Sequence, residues 1–119
     1  MESILTSIKK LLGIAEEYTH FDEDLIIHIN SVFAALTQIG VGPSVGFSIT
    51  DKYATWTDFI SEDTCLIPVK SYVHLKVRLL FDPPSSSAVM SSIERQASEF
   101  EWRLRVAAEN LSDGADAKT

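Results

Sequence analysis

The residues best suited to chemistry in this chain are His20, His28, His74, Cys65 and the turn Gly40-Val41-Gly42-Pro43-Ser44-Val45-Gly46. Histidines two on a helix face would hold a metal, but no HExxH or HxxxH spacing joins any of the three. His20 and Asp24 are spaced to share an ion at a helix start, although a two-residue match reads more simply as a surface histidine beside a cap. One cysteine can form neither an intrachain disulfide nor a structural zinc site, so Cys65 reads as a small core or surface residue. The glycine-rich turn has the glycines of a phosphate loop but follows a helical pattern and leads to an extended one. A dinucleotide loop needs strand, loop and helix, and a P-loop needs Lys-Ser/Thr after its glycines. Ser44 and Ser85 to Ser87 lack a G-x-S-x-G context. No catalytic, cofactor or metal site is expected, and the chain does not read as an enzyme.

What the sequence does specify is packing. Its 119 residues suffice for one domain with a real core. Ser3 is placed to cap a first helix carrying Ile4, Leu5, Ile8, Leu11 and Leu12, with Gly13 as its stop. Asp22 is placed to cap a second, in which Leu25, Ile29, Val32, Phe33, Leu36 and Ile39 recur every three or four residues. Phe47–Ile49 and Tyr53–Trp56 flank Thr50-Asp51-Lys52 and read as a short β-hairpin. Thr57 then caps a brief turn through Ile60. The third helix, Cys65 to Phe81, is apolar around much of its circumference and reads as central, with Val69, Tyr72, Val73, Val77 and Leu80 in the core. Pro83-Pro84 stops it. One of Ser85 to Ser87 caps a last helix whose core stripe is Val89, Ile93, Ala97, Phe100, Leu104, Ala107 and Leu111. Glu99–Arg103 and Glu101–Arg105 are i,i+4 pairs worth about 0.3–0.5 kcal/mol each. The expected fold is therefore mainly α: a small bundle of about four helices with a β-hairpin between helices 2 and 3. Residues 1–111 form the domain and 112–119, which carry no large apolar side chain, a flexible tail.

Charge narrows the partners. Seventeen acidic against ten basic residues give a net charge of −7, the wrong sign for holding duplex DNA. No apolar run approaches the roughly 20 residues of a membrane span. The order of charge and apolar residues in MESILTSIKKLLG is the reverse of a signal peptide's, which points to a protein kept inside the cell. Asp22, Glu23 and Asp24 form an acidic cluster, whereas Lys70, Lys76 and Arg78 lie in a stretch without carboxylates. Such a separation suits complementary edges on neighbouring subunits. Ile27, Trp102 and Val106 point away from the buried stripes of their helices. Trp102 is either covered within the monomer by the hairpin or first helix, or, with Val106, anchors a contact with another subunit or with a different partner protein. An acidic regulator docking on a basic protein surface, as a DNA mimic does, and a DNA-packaging accessory factor are the alternative classes.

SILTSIKKLLGI, YTHFDEDLIIHINSVFAALTQIGVGP, ATWTDFI and VKSYVHLKVRLLFDPPSSS with EFEWRL follow one another from about Ser3 to Arg105. In that combination the chain resembles the head–tail connectors of tailed bacteriophages. The resemblance implies a structural, helical-bundle adaptor made in the bacterial host cytoplasm and located in the virion. It implies a homo-oligomeric, dodecameric ring under the portal protein that extends the DNA channel and docks stopper or tail-completion proteins. DNA would only pass through, and an acidic wall suits that passage by repelling phosphates.

Overall fold

The computed structural model describes residues 2–60 and 63–117. Five helices follow one another: α1 (Ile4–Leu11), α2 (Asp22–Gln38), α3 (Trp56–Phe59), α4 (Asp63–Phe81) and α5 (Ser87–Ala117). α4 is central. It packs along α2 on one side and α5 on the other, and α1 touches both α2 and α4. The core is one continuous cluster from Ile4, Leu5 and Ile8 through Leu25, Ile29, Val32, Phe33 and Leu36 to Val69, Tyr72, Val73, Val77 and Leu104.

The expected β-hairpin does not exist; no β-strand occurs among the described residues. Its two arms pair elsewhere. The Asn30 side chain, on α2, holds Ile49 like a missing strand: Nδ2 donates to the Ile49 carbonyl at 2.9 Å and Oδ1 accepts its N–H at 2.7 Å. The second arm meets the start of α1 instead, where Ile4 N–H donates to Ala54 O at 3.0 Å and Ser3 bridges Thr55. Burial of Phe47 against Phe33 and Phe59, with ring centroids 5.1 and 5.2 Å apart, fixes this path. With its backbone groups satisfied this way, the loop has no reason to fold back on itself.

The helix ends follow local chemistry, with three shifts. Ser3 Oγ accepts from Thr6 N at 3.2 Å. Val41 N–H bonds to Leu36 O and Gly40 N–H to Thr37 O, the paired bonds that close a helix on a glycine. Ser86 caps α5, its hydroxyl accepting from Val89 N. α2 begins one residue earlier than expected, so Asp22 is its first helical residue and Phe21 its cap. Thr55, not Thr57, opens α3, and the Asp58 carboxylate reaches back to Thr55 N–H at 2.8 Å. α5 continues as helix through Ala117, into the segment read as a tail.

Leu80 is a correction: it is 51% exposed, while Val69, Tyr72, Val73 and Val77 are buried. Four-residue steps carry the stripe from Val77 to Phe81, whose ring meets Phe21 edge-on at 5.2 Å. Leu80 is thereby left at the rim of the bundle. Val89 is likewise exposed at the start of α5, and Leu111 lies outside the residues whose side chains are described.

Candidate assembly interface

Among the described residues no group of three His, Cys, Asp or Glu converges to hold a metal ion, and no helix is long and apolar enough to cross a membrane. What the surface does carry is a set of stranded apolar side chains. Trp102 is 64% exposed on the outer face of α5, where neither α1 nor the 41–55 loop covers it. The expected Glu99–Arg103 and Glu101–Arg105 pairs flank it, at 2.6 and 3.6 Å. Val106, one turn on, is half-buried. The indole is thus framed by charge pairs of its own helix. Ile27 is 62% exposed at the middle of the outer stripe of α2.

The charged candidates divide differently. Glu23 and Asp24 are exposed in the first turn of α2, the position where the helix dipole favours carboxylates. Asp22 turns inward. Its Oδ1 lies 2.9 Å from Nζ of Lys9, a lysine only 2% exposed, whose ammonium also donates to Glu16 O at 2.9 Å. Sequence reasoning missed this pair, because an amphipathic helix with Lys9-Lys10 in its last turn gives no sign which lysine is inside. Lys70 pairs with Glu2 and lies 5.9 Å from the Trp56 ring centroid. Lys76 is half-buried in the trough between α4 and α5, beside Tyr72, Glu94 and Glu101. Burial, reinforced by Glu101, pushes the Tyr72 phenol above its usual range, so it stays neutral. Arg78 is half-buried in the last turn of α4, the end nearest Phe21.

A family model described as phage connector protein matches residues 4–111. The chain belongs to that family. No curated protein and no solved structure matches it. The connector is thus a non-enzymatic structural protein of the phage head–tail junction.

Two further exposed apolar side chains, not singled out as exposed from the sequence, meet where α1 adjoins α4. Ile67 is 75% exposed, and Leu11, assigned to the core stripe of α1, is also exposed beside it. The signal was present: α4 carries apolar residues around more of its circumference than one core can cover.

His74 adds a pH dependence. Burial, then the nearby Arg78, pulls its pKa below the usual 6.5, with the Leu11 carbonyl pulling the other way. Its Nε2 is buried without a hydrogen-bond partner, so protonation would strand a charged N–H. The folded-state pKa is the lower one. The stability tied to neutral His74 is therefore complete above the unfolded value and is lost as pH falls below about 6.5 through the folded value. His74→Gln is expected to flatten the urea midpoint between about pH 7.5 and 5.5 relative to wild type. An unchanged slope would show that His74 does not contribute.

Proposed function

We propose that the connector forms a ring adaptor beneath the portal, extends the DNA channel and presents a platform for stopper or tail-completion proteins. The exposure of Trp102 carries the attachment part of this reading: an indole left open on the longest helix, in a bundle with no element to cover it, is a docking anchor awaiting a partner. The portal is assigned as that partner, with Val106 continuing the contact. The net charge of −7 fits a wall past which DNA slides without sticking.

Trp102→Ala tests the assignment. Because the side chain is exposed, the free protein is expected to melt with a stability within about 0.5 kcal/mol of wild type. Loss of an interface anchor of about 2 kcal/mol or more corresponds to at least a roughly 30-fold weaker association with the portal, read by co-sedimentation. Unchanged portal association would refute Trp102 as the anchor; unfolding would mean that it is internal.

A further inference from the structure

We infer that neighbouring connectors join head to tail, with the outer stripe of α2 seated against the exposed α1–α4–α5 trough of the next copy. The inference rests on the ring reading above and names the surfaces that would close the ring.

Both surfaces lie off their helices' buried stripes. Ile27 lies two residues from both Leu25 and Ile29, and Ile67 two residues before Val69. At about 100° per residue Ile27 points roughly opposite the buried stripe of α2, whereas Ile67 lies about 160° from Val69, about 120° from Val73 and about 80° from Val77, on a flank of α4. Ile27 and Ile67 therefore lie on different faces of the molecule, one on the outer side of α2 and the other where α4 adjoins α1 and α5. A ring needs two unlike faces, so that each copy repeats the contact instead of ending it as a two-fold dimer.

The shapes match. Ile67 stands as a ridge between two hollows of about 310 and 250 Å³, one floored by Pro68, Phe100 and Leu104 and the other by Leu11. On α2, Ile27 is followed along the same stripe by the small residues Ser31 and Ala34, both exposed. The Ser31 hydroxyl donates back to Ile27 O at 3.0 Å, so the stripe presents carbon rather than an unmet polar group. A knob at Ile27 can enter a hollow while the Ile67 ridge lies against Ser31 and Ala34, as ridges do in grooves.

Charge selects a second copy as the occupant. Glu23 and Asp24 precede Ile27 by one turn and are exposed. Lys70 and Arg103 stand at the rim of the trough. Each now pairs with an exposed partner of its own, Glu2 and Glu99, and exposed pairs of this kind hold weakly enough to be exchanged for carboxylates of a neighbour.

The test is cross-linking of the full chain with glutaraldehyde in the presence of portal protein, read as a ladder on a denaturing gel. Wild type is expected to give bands beyond dimer. Ile27→Arg and Ile67→Arg, both at exposed positions, are each expected to reduce those bands at least tenfold with melting unchanged. An equimolar mixture of the two retains one sound contact, the intact α2 stripe of one with the intact trough of the other, and is expected to give a heterodimer and nothing larger. Glu23→Lys with Asp24→Lys is expected to weaken the ladder, and Lys70→Glu with Arg103→Glu in the same chain to restore part of it. A wild-type ladder that survives both isoleucine changes overturns these surfaces and leaves the ring standing. Absence of any wild-type ladder overturns the ring and this contact together.

Discussion

Lys9→Ala is expected to destabilise the connector by about 3–5 kcal/mol, the cost of breaking a buried ion pair by removing one partner. Lys9 is almost fully enclosed, with its ammonium held between the Asp22 carboxylate and the Glu16 carbonyl. It thereby ties the end of α1, the connecting 12–21 segment and the first turn of α2 into one unit. Alanine removes the charge that offsets Asp22, leaves Glu16 O without its donor and empties the channel filled by the lysine stem. Lys9→Met keeps most of the stem and is expected to lose less, which separates packing from charge. A double-mutant cycle of Lys9→Met with Asp22→Asn, followed by urea unfolding, should yield a coupling of about 0.5–3 kcal/mol. Since the pair is shielded, added salt should barely change it. A loss below about 1 kcal/mol for Lys9→Ala would mean that the ammonium reaches water.

The same pair explains what could be read from the sequence and what could not. The helical faces of α2 were legible because burial there obeys a single period: Leu25, Ile29, Val32, Phe33 and Leu36 are all buried. Trp102 and Ile27 were legible as outward-facing for the same reason. The partners of charges were not. Asp22 looked like one of three equivalent carboxylates at a helix start, yet a lysine from another helix draws it inward and leaves Glu23 and Asp24 as the exposed acid. The stretch around Lys70, Lys76 and Arg78 looked uniformly basic because its neighbours in sequence carry no carboxylate. In space Glu2, Glu94 and Glu101 come to it from the other elements.

The hairpin failed for a related reason. Alternating Phe47–Ile49 and Tyr53–Trp56 around Thr-Asp-Lys satisfies local rules for two paired strands. Local rules do not contain Asn30, whose amide offers Ile49 the same two hydrogen bonds without requiring a second strand. Nor do they contain Trp56, whose indole N–H donates to the buried Ser7 hydroxyl at 2.8 Å and pulls the second arm onto α1. A tertiary partner that satisfies the backbone overrides strand propensity, because what strands gain from pairing is the satisfaction of those groups.

Gly42→Ala is expected to be the other large loss, about 2–5 kcal/mol, and it tests how this loop is held. Two penalties coincide at Gly42. Its φ of +85° lies in the left-handed region, where a side chain costs roughly 1–2 kcal/mol. A Cβ there would also come within 2.4 Å of Cε1 and 2.6 Å of Cζ of Phe59. Phe59 cannot swing aside, since it is buried and its ring lies 4.5 Å from Phe33 and 5.2 Å from Phe47, centroid to centroid. Overpacking of such a cluster typically adds about 1–3 kcal/mol. Gly46 supplies the control within the same loop. Its φ is +94°, but a Cβ built on it meets nothing within 4 Å. Gly46→Ala should therefore show only the backbone term, about 1–2 kcal/mol. The difference between the two substitutions, measured by urea unfolding, isolates the contact with Phe59. If Gly42→Ala is no more costly than Gly46→Ala, the aromatic cluster has room to yield, and the 41–55 loop is held by the Asn30 clamp rather than by close packing.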